Sequence, residues 1–331
     1  MKQRKRILTG DRPTGKLHLG HYVGSLANRV ALQHDYETFL IVADVQALTT
    51  NWEHPEKLAE SVRQVTEDYM AIGIDPNQAT IFVQSMVPQI AELTIFYSNF
   101  VSVNVLRHNP TIKTEAEQHG YTDMSYGFLG YPVSQAADIT FCKADLVPVG
   151  QDQVPHIEFT RKVARRFNEL YSPVLVVPEA LVGQVGRLVG LDGKAKMSKS
   201  LDNAIFLSDS AKEVEARIRS AVTDPARIRA TDPGHPEVCT VFEYHKVFNT
   251  TEAADIEMRC RAGSIGCVAC KKRLSQKINE LLEPMRERRI AYQNNPKLID
   301  EILLAGTARA CEAAAQTMRE VRDAMKISYF Q

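Results

Sequence analysis

Two segments far apart in the chain carry residue types that could hold a nucleotide's phosphates. Thr14-Gly15-Lys16-Leu17-His18-Leu19-Gly20-His21 puts two imidazoles and two glycines where a strand hands over to a helix. Lys196-Met197-Ser198-Lys199-Ser200 puts two lysines in a short loop of small residues. On a helix, residues three apart are neighbours, so the rings of His18 and His21 lie side by side where backbone N–H groups and the helix dipole already favour anions. Gly15 and Gly20 let a ligand approach the backbone closely. Lys196 and Lys199 are point charges on flexible stems, suited to following a departing pyrophosphate, and Ser198 and Ser200 add hydroxyl donors. Alone, the histidines read as a surface cap and the lysines as a solvated loop. Gathered over one ligand they point to attack on the α-phosphate of ATP, whose transition state needs its developing negative charge stabilised. His18, His21, Lys196 and Lys199 are therefore the candidate catalytic residues.

The elements that must bring these segments together are legible. Ile7-Leu8-Thr9, residues 38–43, residues 79–83 and residues 146–149 read as short buried strands, with polar residues or glycine collecting after their ends. Between the first two, Leu19, Tyr22, Val23, Leu26 and Val30 recur at helical spacing, and Leu58, Val62, Val65 and Tyr69 do so after His54-Pro55. Strands alternating with helices imply an α/β fold, a doubly wound parallel sheet of the Rossmann type, which binds ligands beyond the strand ends. The pattern changes near residue 205. Ser210 and Glu213 form a capping box ahead of Val214, Ile218 and Val222. Leu274, Ile278, Leu281 and Leu282 mark one later helix, and Leu298, Ile302, Leu303, Met318, Val321 and Met325 mark others. The expected organisation is a catalytic domain over residues 1–205 and a mainly helical domain over residues 206–331, whose last helix can return to the first.

At 331 residues, with 44% hydrophobic and 24% charged residues, the chain has the composition of a globular protein with a sizeable core. Lysine plus arginine equals aspartate plus glutamate at 40 each, so a nucleic-acid surface has to be a local patch. No apolar run approaches the roughly 20 residues of a membrane helix, and the basic start leads into an apolar stretch too short for a signal peptide. A cytoplasmic location is expected, in which six cysteines serve as thiols or metal ligands rather than disulfides.

His18-Leu19-Gly20-His21 together with Lys196-Met197-Ser198-Lys199-Ser200 resembles the two signature motifs of class I aminoacyl-tRNA synthetases. Tyr131-Pro132-Val133-Ser134-Gln135-Ala136-Ala137-Asp138-Ile139 and Val147-Pro148-Val149-Gly150-Gln151-Asp152-Gln153 are similar to pocket motifs of the tryptophanyl branch. The resemblance implies activation of L-tryptophan by ATP, with magnesium, to tryptophanyl-adenylate, then transfer to tRNA(Trp), in a homodimer. It implies ATP contacts from Arg12, Thr14, Gly20, His21, Gly150, Asp152, Lys196, Met197, Ser198 and Lys199. For tryptophan it implies Asp138 as acceptor of the indole N–H, Val147, Val149 and Leu8 as ring walls, Gln153 facing the α-amino group, and Gln135. An indole nitrogen only donates, so a buried carboxylate suits it, and smaller apolar competitors would leave that carboxylate unpaired. A tyrosine hydroxyl also wants an acceptor, so a tyrosine enzyme of the same class is the alternative, and a silent RNA- or tryptophan-binding relative is another. Gln46 stands where the family has histidine and is given no role. Lys113 lies in a polar stretch (residues 109–126) that could form a loop covering the nucleotide.

Cys239, Cys260, Cys267 and Cys270 form a Cys-x20-Cys-x6-Cys-x2-Cys set. Sulfur-only ligation suits zinc or a [4Fe–4S] cluster, and the spacing leaves both open. A subgroup of tryptophanyl-tRNA synthetases resembles the chain around Ile265-Gly266-Cys267 and Cys270-Lys271-Lys272, which implies the iron–sulfur cluster. Between Arg259 and Arg289 stand nine basic and three acidic residues. Lys271, Lys272 and Arg273 are the candidate tRNA contacts, with Arg286, Arg288, Arg289, Arg227 and Arg229 as further phosphate contacts. The apolar helix expected around residues 91–106 is the candidate dimer interface.

Overall fold

The computed structural model describes residues 4–182, 188–199 and 201–329, and of Asp152 only the backbone. Ser200 and the Asp152 side chain, both expected at the site, lie outside this description. Five strands form one parallel sheet in the order β3-β2-β1-β4-β5: β1 (Arg6–Asp11), β2 (Glu37–Val42), β3 (Ala79–Val83), β4 (Leu146–Val149) and β5 (Glu179–Val182). The four strands expected from the sequence are present. β5 goes beyond that expectation, because its four residues are only half-buried or exposed at the sheet edge and its apolar run, Ala180-Leu181-Val182, is only three residues long.

Both faces of the sheet are covered, which is why its inner strands are continuous apolar runs. Leu40, Val42 and Ile81 face one core, which continues past residue 205 into Val214, Ile218, Phe242, Leu274, Ile278 and Leu282. Phe39, Ile41 and Phe82 face the other, where Phe39, Phe82 and Phe141 meet edge to face. The order of winding reverses between β1 and β4, and the crevice outside their carboxyl ends is where such a sheet takes a ligand.

The helix after β1 opens at Leu19–His21, passes through a π-helical turn at Tyr22–Leu26 and continues as Ala27–Asp35. The capping box at Ser210 and Glu213 is formed as expected. Three features differ from expectation. The polar stretch after residue 109 is a helix, Pro110–His119, started by Asn109, whose side chain accepts from the Thr111 N–H, and stopped by Gly120 at φ 68°. The apolar helix near residue 100 is two helices, Pro88–Ser98 and Val103–Arg107, the second capped by Ser102. The C-terminal signals merge into one helix, Lys297–Ala324, beside the equally long Cys267–Asn294. The Lys297–Ala324 helix packs against β3. A Cβ on Gly306 would lie 1.8 Å from the Ile81 carbonyl oxygen, so only glycine lets it press on β3, whose open edge it covers.

Candidate active site

The two signature segments meet. Lys199 Nζ donates to the Gly15 carbonyl at 2.7 Å and approaches Thr14 Oγ1 at 3.4 Å. Met197 Sδ accepts from the Gly20 N–H at 3.2 Å. Gly15 holds φ at +104°, a left-handed conformation that excludes most side chains, and a Cβ on Gly20 would press on the His18 ring at 2.9 Å. These glycines shape the corner as well as leaving room for a ligand. Leu17 and His18 run extended beside residues 205–207 up to the helix start at Leu19, with Leu207 N–H donating to Leu17 O and Leu19 N–H to Ile205 O.

The rings of His18 and His21 lie 3.8 Å apart between centroids, as the three-residue spacing predicts. His21 Nδ1 accepts from the His18 backbone N–H at 3.2 Å, so a neutral His21 ring carries its proton on Nε2. Burial, His21 and the two lysines push His18 down to about 3, against a smaller opposing pull from Asp11. Burial pushes His21 down to about 4 although Asp11 opposes it. Both imidazoles are thus neutral near pH 7 and act as hydrogen-bonding groups rather than cations. Among the described residues His18 Nδ1 is buried without a hydrogen-bond partner. Burial lowers Lys199 to about 8, opposed by Asp11 and Asp68. Asp11 ends β1 and is gripped by Arg29 at 2.5 Å and by the Tyr69 hydroxyl at 2.7 Å. Burial would raise its carboxyl, but Arg29 and His21 outweigh that and hold it at about 2.

One cavity of about 500 Å³ opens at the carboxyl ends of β1 and β4. One end is lined by Arg12, Thr14, Gly20, His21, Gly150 and Lys196, and the other by Leu8, Gln135, Asp138, Val147, Val149 and Gln153. His18 sits behind His21, and Ser198 is tied through its backbone N–H to Asn203 Oδ1 at 2.7 Å. Asp138, 3% exposed, receives Gln46 Nε2 on Oδ2 at 2.7 Å and Gln84 Nε2 on Oδ1 at 2.8 Å. The Gln46 backbone N–H in turn donates to Gln84 Oε1 at 3.1 Å, which fixes the orientation of that amide. Burial pushes Asp138 up to about 7 against these two donors. Gln135 Oε1 is buried with no partner among the described residues, beside Asp138.

Residue type and spacing give Gln46 no role and do not single out Gln84, Asp11, Arg29 or Glu115. Glu115, on the Pro110–His119 helix, lines the cavity and lies 3.9 Å from Arg12, while Lys113 on the same helix is exposed. A polar residue directly after a strand is the available signal for Asp11 and Gln84. None exists for Glu115.

The four cysteines gather around Arg227. Its Nη1 lies 3.7 Å from Cys260 Sγ and 3.8 Å from Cys267 Sγ, and its Nη2 donates to the Ala230 and Ile265 carbonyls. Cys270 Sγ is 3.4 Å from His245 Nε2. Burial, then Cys239, Cys260 and Cys267, raise the Cys270 thiol to about 12. Among the described residues no group of three or more His, Cys, Asp or Glu side chains is arranged to hold a metal ion. Arg227, expected at a phosphate, is instead committed to this cluster. Of the other basic candidates, Lys271 Nζ donates to the Arg219 and Ala221 carbonyls, Arg273 pairs with Glu252, and Lys272 is exposed. Arg286 Nε donates to Asp209 O, Arg288 Nε to Ala71 O, and Arg289 pairs with Glu67 and Asp68.

Residues 1–283 match the family model described as tRNA synthetases class I (W and Y). The chain is 49% identical over 332 residues to the tryptophan–tRNA ligase of Clostridium longisporum, covering 98% of this chain and 97% of that protein. It is 48% identical over 335 residues to the tryptophan–tRNA ligase of Streptococcus pneumoniae, covering 98% of each. The tryptophanyl-tRNA synthetase of Campylobacter jejuni, solved with ADP and tryptophan, superposes with a TM-score of 0.87 at 31% identity, covering 97% of this chain and 99% of that one.

Proposed function

The chain belongs to the class I tRNA synthetases of the W and Y type, and we propose that it is a tryptophan–tRNA ligase built around the cavity between β1 and β4. The carboxylate oxygen of tryptophan attacks the α-phosphorus of ATP, and the bond to the bridging oxygen breaks, giving tryptophanyl-adenylate and pyrophosphate. A hydroxyl of the terminal ribose of tRNA(Trp) then attacks the activated carbonyl, and AMP leaves. The observation that carries this reading is the bond from Lys199 to Gly15, which closes the lysine loop onto the histidine corner over a cavity that also holds Asp138.

In this reading His21 offers Nε2–H and Lys196 and Lys199 offer charge to the phosphates, with Thr14, Gly20 and Gly150 lining their path. His18 supports the His21 ring. Magnesium, bound with ATP, supplies counter-charge to the triphosphate. Asp138 accepts the indole N–H between Leu8, Val147 and Val149, and Gln135 and Gln153 take the α-ammonium group. Pyrophosphate exchange tests it. Exchange dependent on tryptophan and not on tyrosine is expected, and the reverse result would move the chain to the tyrosine enzyme.

The cysteine set is read as ligands of a [4Fe–4S] cluster in the tRNA-binding helical domain, residues 206–331. In support, four soft donors share one neighbourhood with a guanidinium that would offset thiolate charge. Arg227 and His245 would flank that cluster. Its role is to fix the surrounding loops. A brown protein containing iron is expected, and a colourless one holding a single zinc would refute the cluster in favour of zinc.

A second copy of the chain is read as covering the apolar groove of about 720 Å³ formed by the Pro88–Ser98 and Val103–Arg107 helices and Trp52. Trp52, Ile95, Val103 and Tyr126 are each more than half exposed there, more apolar surface than a lone chain ordinarily leaves open. A homodimer in solution is expected, broken by Ile95→Glu. No helix among the described residues is long and apolar enough to cross a membrane, and the cytoplasm, where tRNA is charged, is the proposed location.

A further inference from the structure

Asp68 lies on the Leu58–Ile72 helix, fully buried, and belongs to neither substrate pocket. Its two oxygens serve different parts of the molecule. Oδ2 accepts the Leu17 backbone N–H at 2.7 Å, one residue before His18. Oδ1 accepts from Arg289 Nη2, a residue near the end of the long Cys267–Asn294 helix. Arg289 is 5% exposed, and its other terminal nitrogen reaches Glu67 at 3.3 Å. On its far side the same Leu17–Leu19 stretch is bonded to residues 205–207, which follow the lysine loop.

We propose that Asp68 is a positioning residue for adenylate formation, linking the helical domain through Arg289 to the Leu17–His18 strand. This rests on the reading of His18 and His21 as the phosphate-binding pair. The physical argument is one of paired necessity. A buried carboxylate stays ionised only beside a compensating charge, and Arg289 supplies it. The ionised, fixed carboxylate holds the Leu17 N–H more strongly than a protonated acid or an amide oxygen would, and with it the plane of the strand that carries His18. Burial already pushes Asp68 up to about 6 with Arg289 in place, so without the guanidinium the acid would take a proton and loosen its hold. Where the helical domain sits is thereby written into where His18 sits.

The test measures tryptophan-dependent pyrophosphate exchange in the full-length protein carrying Asp68→Asn, Arg289→Gln, or both, beside Leu282→Ala. Leu282 is buried on the same long helix and makes no polar link, so it reports loss of stability alone. Each polar variant is expected to lower kcat by roughly tenfold to a hundredfold, as small misplacements of catalytic groups do. The KM for tryptophan should hold within about twofold, because Asp138 is untouched. The double variant should lose no more than the worse single, because one link has been cut either way. Leu282→Ala should lower the melting temperature at least as much while keeping kcat. Retained kcat in Asp68→Asn, multiplying losses in the double variant, or a kcat that tracks melting temperature through Leu282→Ala would each overturn the proposal. Exchange by the unaltered chain tests the underlying reading separately.

Discussion

Replacing Asp138 by asparagine changes a single atom type at the base of the proposed amino-acid pocket, and the surrounding amides determine what that change does. Asp138 accepts Gln46 on one oxygen and Gln84 on the other, and both donors are amide nitrogens. The Gln84 amide cannot turn over freely, because its oxygen already accepts the Gln46 backbone N–H. The new asparagine side chain must therefore show its remaining oxygen to Gln84 and its NH2 group toward Gln46, whose amide has to flip to receive it. The indole N–H then meets an uncharged oxygen that is already shared. A hydrogen bond to a charged group contributes about 1.5–3 kcal/mol and a neutral one about 1, and the displaced Gln46 bond adds a further fraction. A net cost of about 1–3 kcal/mol corresponds to roughly 5- to 150-fold in kcat/KM. The ring nitrogen takes no part in bond making, so the loss should fall in KM for tryptophan and spare kcat. The pH profile adds a second signature. Burial holds the Asp138 acid up to about 7, so as pH falls through that value the empty pocket protonates and the KM of the unaltered chain should rise. In the Asp138→Asn variant that pH dependence should vanish. Steady-state pyrophosphate exchange between about pH 5.5 and 8.5, a range that brackets the ionisation, measures both. A fall in kcat at constant KM, or an unchanged profile, would refute the acceptor role.

Other outcomes follow from the charges at the site. Lys199 is held down to about 8, so exchange should decline as pH rises through that value and the ammonium is lost; Lys199→Arg should carry activity to higher pH, and Lys199→Ala should lower kcat much more than it raises KM for tryptophan. Histidines depressed to about 3 and 4 from 6.5 bind fewer protons folded than unfolded, so they cost stability as pH falls below 6.5; the melting temperature of His18→Gln/His21→Gln should fall less steeply than that of the unaltered chain between pH 6.5 and 4. Lys272→Ala should flatten the salt dependence of tRNA binding by about 0.7–0.9 in log–log slope, one phosphate's share.

The sheet was legible because its strands are buried on both faces, and a run such as Thr38-Phe39-Leu40-Ile41-Val42 has no other comfortable place. The capping box at Ser210 and the histidine corner were legible because each is a local pattern with a local cause. β5 was hidden because an edge strand of four residues needs no apolar signature. The Pro110–His119 helix was hidden by its polarity, although Asn109-Pro110 at one end and Gly120 at the other are start and stop signals. At the site, residues that line the cavity and are proposed to touch the ligand announce themselves by type, and Asp138 is an example. Residues that hold those in place do not. Gln46, Gln84 and Asp68 matter because of partners dozens or hundreds of positions away, and such pairings are a property of the packed chain.

The basic stretch from Arg259 to Arg289 shows the same limit from the other side. Counting nine cations against three acids suggests a surface made for phosphates, but the count omits the acids and carbonyls that folding brings in from elsewhere. Six of the nine stand in ion pairs: Arg259, Arg261, Arg273, Lys277, Arg286 and Arg289. Lys271 and Arg288 are spent on backbone carbonyls at helix ends, which leaves Lys272 exposed. The pairs are not equivalent. Arg259 and Arg261 sit in exposed pairs worth under about 1 kcal/mol, and a phosphate can take over such an arginine at little cost. Arg289 is locked against a buried carboxylate, and removing it leaves a charge that the interior cannot solvate. On the proposed reading a tRNA surface here would be made of Lys272 and the loosely paired arginines near the cysteines, while Arg286, Arg288 and Arg289 at the far end of the helix bind it to Asp209 and to the Leu58–Ile72 helix.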